Sequence, residues 1–207
     1  MQQAIDTKPF FQRLLRPATR VLAALGVTPN QVTLTTIVLS LAAGAVIMVY
    51  PEKDWPILLV PVVLTLRVAF NHIDGLLAVE HNMKTPLGAI LNELADVVSD
   101  ASLYLPLALI PGVAAVLLVP VVVLGLLTEM IGVVAYSIGA SRREDGPMSK
   151  KPRGLVIGGS AIAIGLGVMP GAWLHSLLLA MMPLQVMTIF NRLNRAVQQV
   201  EGKCSPI

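Results

Sequence analysis

Cysteine is nearly missing from this chain. Cys204 is the only one in 207 residues, and it stands close to the C-terminus. A disulfide framework within the chain is therefore excluded, and Cys204 reads as an incidental thiol. Charge is also scarce: Asp, Glu, Lys and Arg make up 13% of the residues, about half the ~25% of an average soluble domain. The three histidines, His72, His81 and His175, share no metal-ligand spacing. No convincing internal repeat or low-complexity stretch is present. Residues 1–25 lack the long apolar run of a secretory signal, because Lys8, Arg13, Arg16 and Arg20 interrupt it.

What remains is apolar. Hydrophobic residues are 55% of the chain and the mean hydropathy is +0.76. The expected fold is all-α, a single polytopic membrane domain over 1–207. It comprises an N-terminal amphipathic surface helix (1–25), six transmembrane helices (29–200) and a tail (201–207). Basic and bulky apolar residues at helical spacing suit a helix lying in the membrane surface, or an amphipathic helix packed on the bundle. Thr28-Pro29-Asn30-Gln31 reads as an N-cap, a proline at N1 and a capping-box glutamine. The spans are expected at about 29–50, 55–81, 87–109, 113–140, 155–168 and from 173 through Arg192 and Arg195. A polar loop is expected at 141–154. Spans of about 20 residues match a hydrocarbon core of roughly 30 Å. Six crossings place both termini, Lys84 and the basic 141–154 loop on one side and Lys53 on the other. Charge asymmetry then puts both termini in the cytoplasm, in an inner (cytoplasmic) membrane.

Within this apolar background, residues 71–100 stand out. They carry Asp74, Glu80, Glu93, Asp96 and Asp100. An acid in a spanning helix is costly, by roughly 2.5–3.5 kcal/mol on insertion scales, so such acids point to function. Asn92, Asp96 and Asp100 step by four and share one helix face; Asn71 and Asp74 share a face of the preceding helix. Two helices can thus aim several oxygens into one cavity, as a hard cation requires. At 1.5 Å per residue, Asn92 and Asp96 lie roughly 8–14 Å inside the cytoplasmic end of their helix, at a depth similar to Asp74. Arg67, four residues before Asn71, is expected to pair with Asp100 or Asp96, which competes with Asp100 acting as a further ligand. Glu129 either borders the cavity or is a hydrogen-bonded packing residue.

The same stretch resembles the signature of the CDP-alcohol phosphatidyltransferase family, D-x-x-D-G-x-x-A-R, eight residues, then G-x-x-x-D-x-x-x-D. Asp74, Gly75, Ala78, Gly88 and Asp96 match at the right spacing. Asn71 stands for the first Asp, Val79 for the Arg and Asn92 for the third Asp. The resemblance implies a membrane transferase that moves a phosphatidyl group from CDP-diacylglycerol to an alcohol and releases CMP. It implies Mg²⁺ or Mn²⁺ held by Asp74, Asn71, Asn92 and Asp96, with Asp96 also the base. It implies a nucleotide site at Gly75, Ala78 and Gly88, with Asn30 and Thr33 beside it. For the three small residues helix packing is an equal alternative, and for Asn30 and Thr33 capping is. Weaker metal binding, or one metal instead of two, follows from the two Asn departures. With Val79 in place of the Arg, a phosphate-pairing cation must come from Lys84, Arg142, Arg143, Lys150, Lys151 or Arg153. The implied partners are CDP-diacylglycerol, an alcohol, the lipid bilayer and a second copy in a homodimer, with no nucleic acid. A relative that binds CDP-lipid or a partner without turnover is the second reading. A small transporter is the third, disfavoured because the polar cluster lies near one face and no repeat is evident.

Overall fold

The computed structural model describes residues 8–204, with side chains from residue 15 to 202. Among the described residues all regular structure is helical: α1 (Lys8–Ala24), α2 (Pro29–Val49), α3 (Leu59–Glu80), α4 (Pro86–Tyr104), α5 (Ala115–Val134), α6 (Lys150–Gly165) and α7 (Ala172–Cys204). Short 3₁₀ turns at Trp55–Leu58, Leu105–Leu109 and Ala135–Ile138 extend α3 at its start and α4 and α5 at their ends. Among the described residues four segments are long and apolar enough to cross a membrane: Pro29–Val49, Trp55–Glu80, Ala115–Ile138 and Ala172–Gly202. The protein is thus a multi-pass membrane protein by length and composition. Of the other two expected spans, α4 carries Glu93, Asp96 and Asp100 within its 19 residues, and α6 has 16 residues.

Helix boundaries follow local chemistry. Thr28 has extended backbone; its hydroxyl accepts from the Gln31 N–H and its own N–H donates to Gln31 Oε1 at 2.9 Å, with Pro29 at N1. The chain leaves α3 through Asn82, whose φ of 54° turns it sharply. Thr85 then caps α4 by accepting from the Gly88 N–H at 2.9 Å. Two boundaries correct the sequence reading. α4 ends at Tyr104, and the last turn of the expected third span is 3₁₀, with Pro106 unable to continue the α-helical ladder. α6 starts at Lys150, so Lys150, Lys151 and Arg153 form its first turn rather than lying in the 141–154 loop.

α2 packs closely along α4. A Cβ on Gly44 would run into the Ser102 carbonyl oxygen near one end, and a Cβ on Gly88 would come within 2.6 Å of Asn30 Oδ1 near the other. Gly44 is required by that approach, since it faces backbone; at Gly88 the neighbour is a side-chain end that can move aside. α5 packs along α7, and α1 along α3, where Arg16 Nε meets Glu80 Oε1 at 3.0 Å. The buried interior is graded. Near the 51–54, 110–114 and 166–171 turns it is apolar, with Ile47, Val60, Leu103, Leu118, Val121 and Leu178. Toward the opposite end the same buried stripes become polar: Arg67 and Asp74 on α3, Asp96 and Asp100 on α4, Thr128 and Glu129 on α5, Arg192 on α7. A polar half-interior of this kind positions the site.

Candidate functional site

α2, α3, α4 and the 81–85 turn enclose a cavity of about 240 Å³ at the polar end of the bundle. Asn30, Thr33, Asp74, Gly75, Ala78, Gly88 and Asn92 all line it. Five of these come from the signature stretch and two from the start of α2. Lys84 closes one side. Asn71, one turn deeper on α3, and Asp96, one turn beyond Asn92, do not line it.

The structure separates roles that spacing left equal. Capping of α2 is done by Thr28 and Gln31, which leaves Asn30 and Thr33 to face the cavity. Thr33 is buried; its hydroxyl stands 3.0 Å from Asp74 Oδ2 and 3.1 Å from the Pro29 carbonyl oxygen, with one proton to share between them. It therefore holds Asp74 at the cavity wall. The glycines differ. Nothing lies within 4 Å of a Cβ built on Gly75, so helix packing does not demand its missing side chain, and that space belongs to the cavity. A Cβ on Gly88 would instead press on the side-chain ends of Asn30 and Thr85. Val79 is 58% exposed and faces away.

Asp96 and Asp100 look toward α6. Lys150 Nζ pairs with Asp96 Oδ1, and Arg153 Nη2 lies 2.8 Å from Asp100 Oδ2. Arg67 bridges the two acids, with Nη1 2.7 Å from Asp100 Oδ1 and Nη2 3.8 Å from Asp96 Oδ1. Both pairings expected for Arg67 are therefore present, and the 2.7 Å contact with Asp100 is the stronger. Arg153 is only 1% exposed and also donates to Thr128 Oγ1 at 3.0 Å and to the Gly125 carbonyl at 3.2 Å. Gly125 is glycine because a Cβ there would sit 3.0 Å from Arg153 Cδ. Glu129 completes the chain of charge, 3.6 Å from Arg153 and 3.8 Å from Arg192. The packing reading of Glu129 is the one realised.

Other rim cations are also engaged. Arg142 pairs with Glu93 at 2.6 Å, and Arg143 donates to the Arg195 carbonyl and to Gln199 Oε1, each at 2.9 Å. The sequence reading missed the burial of Arg153 and the pairing of Lys150. A signal for both existed: Lys150 and Arg153 are three apart, matching Asp96 and Asp100 four apart on the facing helix.

Few oxygen donors line the cavity wall. Asp74 offers a carboxylate at the cavity wall and Asn92 a neutral oxygen beside it. At Asp96 the Oδ1 oxygen already faces an ammonium. Among the described residues, no three His, Cys, Asp or Glu side chains converge as a metal cluster.

Comparison with known proteins agrees with the signature. The family model for CDP-alcohol phosphatidyltransferase matches residues 26–191. Inner membrane protein YnbA of Escherichia coli (strain K12) is 44% identical over 161 residues, covering 76% of this chain and 79% of its own. Two structures of Mycobacterium tuberculosis phosphatidylinositol phosphate synthase (PgsA1) share the fold at 20% identity. The complex with manganese and citrate has a TM-score of 0.75 and covers 92% of each chain. The complex with CDP-DAG has a TM-score of 0.71 and covers 94% of this chain and 98% of that one. The chain belongs to the CDP-alcohol phosphatidyltransferase family, transferases of substituted phosphate groups.

Proposed function

We propose that the protein transfers a phosphatidyl group from CDP-diacylglycerol to an alcohol, releasing CMP, in phospholipid biosynthesis. The observation that carries this reading is the cavity itself. It combines Asp74, the open space at Gly75, Ala78 and the polar pair Asn30 and Thr33, and it sits at the polar end of an apolar bundle. The solved relative with CDP-DAG bound has the same fold.

In this reading the cytidine and diphosphate enter between α2, α3 and α4, with Gly75 and Ala78 leaving room and Asn30 supplying polar contact. The acceptor hydroxyl attacks the phosphatidyl phosphorus, an oxygen–phosphorus bond forms, and the bond to CMP breaks. Asp96 takes the hydroxyl proton as general base, with its Oδ1 held by Lys150 and Arg67. Thr33 orients Asp74. A divalent cation, Mg²⁺ or Mn²⁺, would be held by Asp74 with Asn92 and Asn71 as neutral donors, and would neutralise the diphosphate and leaving CMP. Lys84, at the cavity rim, takes the phosphate-pairing role that Val79 cannot fill.

The single membrane domain, in this reading, crosses the bilayer six times through α2–α7. Support comes from the turns: residues of 51–54, 110–111 and 167–170 line one 280 Å³ cavity, at the end away from the site. Both termini and the 139–149 connection then lie in the cytoplasm, on the basic side. α1 lies in the membrane surface, pinned to α3 by Arg16 and Glu80. A homodimer is part of the proposal through family resemblance, with glycine- and alanine-bearing helix faces as its support.

The test is incubation of purified protein with CDP-diacylglycerol and a panel of alcohols, followed by lipid mass spectrometry. A new phosphatidyl-alcohol formed with one alcohol, together with CMP, is the expected result. Intact CDP-diacylglycerol with every alcohol contradicts the transfer.

A further inference from the structure

The geometry points to Lys150 as a built-in positive charge at Asp96, so that the site takes one divalent cation from the Asp74 side and not two. The inference rests on the proposed CDP-lipid site and specifies its cation requirement. Three observations carry it. First, the Lys150 ammonium sits on Asp96 Oδ1. A metal ion on that oxygen must displace it or bear the repulsion of a like charge at contact distance.

Second, the position of Lys150 is electrostatically odd without this partner. α6 opens with Lys150, Lys151 and Arg153, no acid lies in its first turn, and Ser149 makes no side-chain cap. The N-terminus of a helix is its positive end, where cations are unfavourable. Two of these three cations instead face acids on α4: Lys150 meets Asp96 and Arg153 meets Asp100. The start of α6 is thus matched to the acid face of α4.

Third, Lys150 pairs with one acid of the site and bears on the other only through its charge. Asp74 interacts electrostatically with Asp96 and with Lys150. Asp74, Asp96 and Lys150 together carry one net negative charge, because Asn71 and Asn92 are neutral. That is two negative charges fewer than four carboxylates facing the same lysine would carry, which weakens the pull on a second cation. The Lys150 side chain is 33% exposed, and its ammonium has three donors. Lys150 thus neutralises the Asp96 carboxylate from outside the cavity, whose lining includes neither residue.

Mn²⁺ binding to the purified full chain, followed by the electron-spin-resonance signal of free Mn²⁺, tests this without turnover. One ion per chain is expected for the wild type and for Lys150→Arg, which keeps the charge. Lys150→Met is expected either to take up a second ion or to bind the first at least ~10-fold more tightly, a change of about 1.4 kcal/mol. Thermal melting of each variant shows whether the bundle is intact, and Lys150→Arg still decides the ion count if Lys150→Met unfolds. Two ions on the wild type, none at all, a second ion on Lys150→Arg, or an intact Lys150→Met with unchanged binding each overturn the inference. CMP release from the same samples separates the two readings. One-ion binding with the Lys150 shift but no CMP release from any sample removes the transferase reading and leaves the cation count standing.

Discussion

At the scale of single residues, the acids of α4 divide the work. Asp96 meets Lys150 and Arg67 through Oδ1, whereas Asp100 has both oxygens taken, by Arg67 at 2.7 Å and Arg153 at 2.8 Å. Asp100→Asn should therefore act on stability first. It leaves two buried guanidinium groups facing a neutral amide, and breaking a buried pair costs about 3–5 kcal/mol. Because Arg153 shares Asp100, adding Arg67→Met should restore only part of the loss, and adding Arg153→Met should not restore the rest, since it also strips Thr128 and Glu129 of a partner. Melting of the single, double and triple variants in mild detergent checks the order. Equal stability of Asp100→Asn and wild type would contradict the buried triad. The spacing of Arg67 and Asp100 made one half of this triad legible in the sequence. Arg153 was read as a rim cation, because it follows a polar, proline-containing loop; its spacing of three from Lys150 becomes a signal only once the start of α6 is placed at Lys150.

At the scale of elements, the close α2–α4 contact and the open face of α3 give opposite expectations for two glycines of the same motif. Gly88→Val should lower stability modestly, since it must push aside Asn30 Oδ1 and the capping Thr85 Oγ1, which a Cβ would meet at 2.6 Å and 2.9 Å. Gly75→Leu should leave melting close to wild type, as nothing stands within 4 Å of its Cβ, and should weaken binding of CDP-diacylglycerol by filling the cavity. Melting and lipid binding measured on both variants test this. A stability loss at Gly75 comparable with that at Gly88 would contradict the assignment. The sequence showed both glycines but could not separate them, because motif spacing does not reveal which neighbour a missing side chain faces. Helix starts were more legible where a local cap exists, as at Thr28 and Gln31. The start of α6 was misplaced, from Lys150 to about Leu155, because Ser149 makes no side-chain cap hydrogen bond and its first turn is basic.

At the scale of the whole molecule, hydropathy made the helical class and multi-pass character legible, and the graded interior explains why α4 and α6 were harder to read. Both contribute charge to the polar half, so their sequences lose the uniform apolarity of a simple span. The six-crossing arrangement places Lys53 and Arg143 on opposite sides. Cysteine labelling of Lys53→Cys and Arg143→Cys, each in a Cys204→Ser background, should show opposite accessibility in sealed vesicles, and labelling from the same side would contradict the topology. The central claim concerns the reaction, and its most direct measurement is CMP release from CDP-diacylglycerol with the accepted alcohol, comparing wild type, Asp74→Asn, Asp96→Asn and Asp100→Asn. The expected result is release by the wild type and a fall of at least ~10²-fold for Asp96→Asn without loss of melting temperature. Asp74→Asn should fall likewise and need more divalent cation. Normal release by Asp96→Asn, with Asp100→Asn folded but inactive, would contradict the account and place the catalytic carboxylate one turn deeper.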